Sequence, residues 1–189
     1  ELLRRGVEAH EVAHEDRLVE DDLAHRHGDD PPRNALVRLD GLSIDGTLLQ
    51  ADRFYLNVGG RAVVPDFPGL SDIDYLTNVG ILELDTVPEH LVIIGGSYIA
   101  LEFAQMYRRF GAQVTVVEKG PRLTSREDED VSATIKDILT AEGIDVVLNA
   151  NAIRFAKTDT GFTVTPRDGA EPIVGTHLLL AVGRQPNTD

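Results

Sequence analysis

The sequence predicts an α/β fold in which a parallel sheet carries an inserted β-meander, and three observations lead to it. The apolar run Leu91-Val92-Ile93-Ile94 breaks at Gly95-Gly96-Ser97 into a segment of helical periodicity. A second β-branched run, Val114-Thr115-Val116-Val117, follows that helix and ends in the acidic Glu118. A further amphipathic segment, 128–141, is followed by several short strand-like runs, the last being Leu178-Leu179-Leu180-Ala181-Val182-Gly183. Near-continuous apolar strands alternating with helices are the pattern of a parallel sheet covered on both faces.

The turn at Gly95 carries the most chemistry. A strand that turns sharply into a helix often needs dihedrals that a Cβ resists, and the amides at the helix start then face an anionic group. Gly95, Gly96, Ser97, Tyr98, Ile99 and Ala100 meet part of the G-x-G-x-x-G fingerprint of a Rossmann-like dinucleotide-binding domain. Ala100 in the third glycine's place is a permitted variant. Ser97 in the second place is a departure: its Cβ crowds the pyrophosphate approach, while its hydroxyl is placed to cap the helix or to donate to a phosphate oxygen. An altered affinity is expected, with the site retained. Glu118 follows at close to the expected spacing of about 20 residues. A carboxylate there accepts from a ribose 2′-hydroxyl and repels a 2′-phosphate, which argues for NAD(H) over NADP(H); Lys119 and Arg122 are the opposing charges nearby.

The remaining elements follow from periodicity and punctuation. Ile99, Phe103, Met106 or Tyr107, and Phe110 recur at helical spacing as the inward face of the first helix, which Gly111 closes. In the second helix, 128–141, the inward face is Val131, Ile135, and Ile138 or Leu139, with Gly143 beyond its end. The acids Glu127 to Asp130 suit its N-terminus through the helix dipole. Strands are predicted over 145–148, 152–156, 162–166 and 177–182, so that a meander precedes the last. Upstream, strands are predicted over 35–39, 47–50 and 54–58, with Asp45-Gly46 as a hairpin between the first two. Gly59-Gly60-Arg61, Pro65, Pro68 and Gly69 read as a rigid crossing, 77–84 as a short helix, and Pro88 as a domain boundary. Residues 1–34 are polar without a consistent period and read as a broken helix or loose segment. Their His10, His14, His25 and His27 lack metal-site spacing and read as solvated surface, so no metal is expected.

Composition narrows the function classes. Of 189 residues 42% are hydrophobic, which suits a globular core, and no apolar stretch nears the roughly 20 residues a membrane span needs. A net charge of −14 argues against nucleic acid as a partner, because phosphate backbones are held by clustered Lys and Arg. With no cysteine, the chain has no disulfide, thiolate metal site or thiol nucleophile. No signal-like segment opens it, so a cytoplasmic location is expected, and the absence of Met at Glu1 suggests a start inside a longer polypeptide.

Leu56-Asn57-Val58-Gly59-Gly60-Arg61, the Gly95 turn with Tyr98, Ile99 and Glu102, and Ala181-Val182-Gly183-Arg184-Gln185-Pro186-Asn187, in that order, resemble the flavin-dependent pyridine nucleotide-disulfide oxidoreductases. Mercuric reductase, dihydrolipoamide dehydrogenase and glutathione reductase belong to that family, and the resemblance covers about residues 47–189. It implies that 1–88 are part of an FAD-binding domain with a linker and that 89–189 form the NAD(P)-binding domain. It further implies that Gly95 through Ala100 hold the NAD pyrophosphate, that Tyr98 gates the nicotinamide site, and that Glu102 lies near the carboxamide. Glu118 would bind the adenosine ribose, Ala152 and Gly183 would touch the dinucleotide through their backbones, and Val58, Gly59 and Gly60 would pass close to FAD.

The family's FAD-binding glycine turn, redox cysteine pair and dimer domain have no counterpart in these residues. The chain would therefore be the middle portion of an oxidoreductase that delivers hydride from NADH to FAD and onward to a small-molecule acceptor. Such an enzyme would be a homodimer through a domain outside this chain. Two other readings stay open: a non-catalytic NAD-binding module, and an interaction domain whose pocket is empty.

Overall fold

The computed structural model describes residues 17–19, 35–38, 41–44, 46–53, 55 and 57–187. The chain divides into two units, Glu1–Arg61 with Pro186–Asp189, and Ala62–Gln185. In the smaller unit four short strands, β1 (Arg17–Val19), β2 (Ala35–Arg38), β3 (Gly41–Ile44) and β4 (Thr47–Leu49), form an antiparallel sheet in chain order. β1 stands within the segment expected to be a broken helix or a loose segment. β3 was not expected at all, and the turn through Gly46, at φ 82°, joins β3 to β4 rather than the two strands the hairpin signal was assigned to. Runs of three or four residues are too short for periodicity to reveal. The third expected strand, 54–58, is not a strand at its described residues; Phe54 and Leu56, like Asp45 and the four N-terminal histidines, lie outside the described residues. The first strand of the crossing is β5 (Gly60–Ala62).

In the larger unit, β6 (His90–Ile94), α1 (Tyr98–Arg109), β7 (Gln113–Val117), α2 (Glu129–Ala141) and β8 (Asp145–Val147) follow one another as strand and helix in alternation. β9 (Arg154–Thr158), β10 (Gly161–Thr165) and β11 (Ile173–Gly175) form the antiparallel meander. β12 (His177–Leu180) returns to the parallel sheet, whose order is β12-β6-β7-β8, and β13 (Arg184–Pro186) is the last strand described. β11 was not expected, and β9 begins two residues later than predicted.

Side-chain alternation sorts the sheet into two faces. Leu91 and Ile93 of β6, Val114 and Val116 of β7 and Leu179 of β12 pack under the helices. Val92, Ile94, Val117, Leu178 and Leu180 pack against Phe155, Phe162 and Val164 of the meander. Both faces are buried, which is why these strands read as unbroken apolar runs.

The helices sit differently from the sequence expectation. In α1 the buried residues are Ala100, Leu101, Ala104 and Tyr107; Phe103 and Met106 are partly buried and Phe110 is exposed. The inward stripe is turned by about one residue, because two alanines let the helix lie close on the sheet where phenylalanines would hold it off. In α2 Leu139 and Ser132 are buried and Ile135 packs at the margin, while Val131 and Ile138 are exposed. Gly111 and Gly143 close the two helices at positive φ, as predicted.

The segment before β6 belongs to the same packed unit. Leu70 and Ile73 lie in the meander-side core and Ile81 in the helix-side core, and Tyr107 donates its hydroxyl to the Ile81 carbonyl at 2.6 Å. Leu76 forms a parallel bridge to Leu179 beside β12. Only Gly80–Glu83, a 3₁₀ turn, stands where a helix over 77–84 was expected. The unit thus begins at Ala62, ahead of the Pro88 break marked in the sequence.

Candidate dinucleotide-binding site

The strand order places the site. From β6 the chain moves outward through β7 to β8 and then returns to the other side of β6 as β12, so the direction of winding reverses between β6 and β12. In open α/β sheets ligands bind in the crevice outside the carboxyl ends of the strands at such a switch point. Here that point is Gly95. Its amide donates to the Val117 carbonyl at 2.9 Å, and next to it the Ala181 amide donates to the Ile94 carbonyl at 2.8 Å. Gly95 has φ 119°, and a Cβ on it would meet the Ala181 carbonyl oxygen. Backbone strain and contact both exclude any larger residue there.

Gly96 packs against the neighbouring strand end. A Cβ on it would stand 2.8 Å from Leu123 Cδ2 and 2.9 Å from Cβ and Cγ of Glu118, and its carbonyl accepts the Thr124 amide at 2.8 Å. Ser97 is the residue before α1, extended and exposed, and its hydroxyl makes no capping bond. The first intrahelical bond runs from the Leu101 amide to the Ser97 carbonyl at 3.1 Å, so the amides of Tyr98, Ile99 and Ala100 have no carbonyl one turn back. Ala100 is fully buried against the sheet, whereas Ile99 is half-buried. Tyr98 and Glu102, both exposed, lie one turn apart on the same side of α1.

Glu118 continues the sheet beyond β7, its amide donating to the Val147 carbonyl at 2.8 Å and its carbonyl accepting from Ala150 at 3.0 Å. Its carboxylate Oε1 accepts the Gly120 amide at 2.7 Å. Of the two opposing cations, Arg122 pairs with Glu129 at 2.9 Å and donates to the Ser125 carbonyl at 3.3 Å, and Lys119 is exposed. Gly183, exposed at φ 150°, gives its carbonyl to the Val63 amide at 3.0 Å. The Ala152 amide donates to Pro166 at 3.3 Å, so its backbone donor is already engaged.

The structure therefore brings the Gly95 turn, the start of α1 and Glu118 together at one edge of the sheet. Val58, Gly59 and Gly60 belong to the smaller unit. There Asn187 donates its amide to the Gly59 carbonyl at 3.2 Å and its side-chain nitrogen to the Val58 carbonyl at 3.0 Å, and Gly59 has φ 72°. Three residues at the crevice carry no sequence signal of their own, Leu123 and Thr124 under Gly96 and Gly120 on the Glu118 carboxylate, while Ala181, read from the sequence as part of the last strand, closes under Gly95.

The opposite half of the sheet's meander face holds a cavity of about 600 Å³, lined by His90, Gln113, Thr115, Asp145, Val146, Val147, Ile173 and Val174. His90 Nε2 and Thr115 Oγ1 are 2.9 Å apart, and the imidazole also bonds the Val174 backbone. Burial lowers the His90 pKa from its ordinary value, against the opposing pull of Asp145 and Glu89. Among the described residues no group of three or more His, Cys, Asp or Glu could hold a metal ion, and no helix is long and apolar enough to cross a membrane.

Residues 16–189 match the family described as pyridine nucleotide-disulphide oxidoreductase. The chain belongs to that family. Among relatives of this pyridine nucleotide-disulphide oxidoreductase chain, a mercuric reductase of Streptomyces lividans is 36% identical over 143 residues, covering 75% of this chain and 30% of the relative. A probable pyridine nucleotide-disulfide oxidoreductase, RclA, of Escherichia coli strain K12 is 36% identical over 141 residues, covering 74% and 32%. The solved Cu(II) complex of the HOCl-induced flavoprotein disulfide reductase RclA from Escherichia coli superposes with a TM-score of 0.72 at 33% identity, over 83% of this chain and 36% of that one. The chain spans about a third of the length of these relatives. As a pyridine nucleotide-disulphide oxidoreductase fold, its parallel sheet with helices on one face and a meander on the other agrees with the architecture expected from the sequence.

Proposed function

We propose that this chain is the NAD(P)H-binding portion of a flavin-dependent oxidoreductase and that the crevice at Gly95 takes the pyrophosphate of NADH. The observation that carries the reading is the switch-point turn itself, where Gly95 leaves no room for a Cβ, the first amides of α1 have no carbonyl one turn back and Gly96 packs beside the stem of Glu118. A close-approach backbone and a helix start suit a diphosphate. Glu118 suits a ribose hydroxyl and disfavours a 2′-phosphate, and Arg122, the nearby charge that would attract that phosphate, is held by Glu129 and Ser125. NADH is therefore the preferred donor over NADPH.

The same reading gives the other residues their roles. Tyr98 covers the nicotinamide end and moves as NADH enters, Glu102 faces the carboxamide, and Gly183 and Ala152 line the crevice. Ala152 does so through its carbonyl, its amide being engaged. Val58, Gly59 and Gly60 would lie along FAD, and the left-handed corner at Gly59 fits a backbone that passes close to a bulky group. When bound, NADH supplies a hydride and FAD accepts it. Electrons then pass to a small-molecule acceptor of the disulfide or Hg(II) class. The complete protein is a cytoplasmic homodimer joined through a domain outside this chain.

Titration of the full-length protein with NADH and NADPH tests the reading. NADH binds more tightly, and Glu118→Ala weakens NADH binding about tenfold, the worth of one hydrogen bond to a charged acceptor, and narrows the gap to NADPH. Equal affinities in the unaltered protein would remove Glu118 from the role. Tyr98→Ala leaves flavin content unchanged and alters the rate of NADH-dependent reduction; unchanged kinetics reject the gate.

A further inference from the structure

Thr124 and Asn149, at φ 42° and 58°, are the two residues other than glycine with positive φ among those described. A β-branched residue in that region is an outlier, and Asn is several-fold commoner there. Both brace a glycine that adjoins the Glu118 side chain. The Thr124 amide donates to the Gly96 carbonyl at 2.8 Å, and the Asn149 amide donates to the Gly120 carbonyl at 2.9 Å. Gly96 in turn touches the stem of Glu118, and the Gly120 amide bonds Oε1 of its carboxylate. Strained backbone persists where the surrounding structure over-determines it, and such places cluster at ligand clamps.

We infer that Gly120 is a positioning residue for nucleotide selection, acting through Glu118 within a frame held by Thr124 and Asn149. The inference rests on the dinucleotide reading above. The carboxylate is fixed at its backbone by Val147 and Ala150, at its stem by Gly96 and at one oxygen by Gly120. One oxygen is thus occupied by the chain itself, and Oε2 is left to accept the ribose hydroxyl. A carboxylate held this way has already lost the freedom that binding would otherwise remove. It also cannot swing aside to admit a 2′-phosphate. A Cβ at Gly120 would stand 3.1 Å from Oε1, tight enough to shift the carboxylate by a few tenths of an ångström while leaving the amide in place.

The test is a double-mutant cycle on the full-length protein, with NADH and NADPH dissociation constants measured for Gly120→Ala, Glu118→Ala and the pair. Gly120→Ala lowers the preference for NADH about three- to tenfold, and in the Glu118→Ala background it changes nothing. An unchanged preference in Gly120→Ala, or the same loss with and without Glu118, overturns the inference, because a purely structural effect does not depend on the carboxylate. If Glu118→Ala alone leaves the preference intact, Glu118 is not the selector and the inference falls while the dinucleotide reading stands; an unaltered protein that binds neither nucleotide overturns that reading. Should Gly120→Ala fail to fold, Asn149→Ala, which keeps the amide bonded to the Gly120 carbonyl but makes its left-handed φ costlier to hold, must show the same dependence on Glu118; independence overturns the inference.

Discussion

The two ends of the parallel sheet are built from the same strands and treat their polar groups in opposite ways. Where the strands begin, the His90 imidazole is engaged by Thr115 and the Val174 backbone, and the Thr176 hydroxyl lies 3.1 Å from the His90 amide and 3.0 Å from its carbonyl. Where the strands end, the first amides of α1 have no carbonyl partner and the Glu118 carboxylate has one oxygen engaged by Gly120. The first end has a cavity of about 600 Å³ and the second has the open valences. For polar ligands the second property matters more, because each ligand atom must replace hydrogen bonds it gives up to water.

Substitutions at glycines break the second end most strongly. Gly95→Val places a branched side chain on the Ala181 carbonyl at a φ that L-residues avoid, so the larger unit is expected to lose its cooperative thermal transition. Gly111→Ala, also at positive φ but with nothing nearby to meet, isolates the backbone cost alone, about 1–2 kcal/mol, readable from a urea midpoint. A loss in Gly95→Val beyond that backbone cost is the part of the Gly95 requirement that comes from contact.

The first end is expected to respond to acid. The folded-state pKa of His90 lies below its ordinary value of 6.5, so the unfolded chain binds the proton more readily. Stability is therefore full above about that ordinary pKa, declines as the pH falls through it, and levels once the pH is below the folded value. His90→Gln, which has no proton to gain, removes that part of the decline. Urea midpoints from about pH 8 to about pH 5 check this; an unchanged slope would show that the imidazole is not the group responding.

The smallest effect is expected at Ser97. Its hydroxyl caps nothing, so Ser97→Gly changes stability by only about a few tenths of a kcal/mol while removing the Cβ beside the pyrophosphate path. NADH affinity rises and the melting temperature barely moves. A large loss of stability would mean that the hydroxyl supports the turn.

Much of the larger unit was legible in the sequence. The run Leu91 to Ile94, the break at Gly95 and the run Val114 to Val117 ending in Glu118 all occupy the positions their periodicity assigns. The helix ends at Gly111 and Gly143 were equally readable, since a left-handed terminus favours glycine. The helix faces were less so. Phe110, Val131 and Ile138 look like core residues and are exposed, because which side of an amphipathic helix is buried depends on how closely its smallest residues let it approach the sheet. The short strands β1, β3 and β11 were invisible for want of length, and the packing of residues 62–88 with the larger unit came from contacts distant in sequence.

The same division holds at the site. Sequence alone determined the class of fold, the sharp passage from strand to helix at Gly95 and the carboxylate that follows it, because these depend on local steric and electrostatic demands of particular residue types. Only the tertiary structure decided that Ala181 closes on Gly95, that Gly96 rests on the stem of Glu118, and that Gly120 and Thr124 complete the frame. Apart from the Gly120 bond, which spans two residues, those contacts join strand ends and loops far apart in the chain, and no spacing or periodicity encodes a distance that exists only once the sheet has formed.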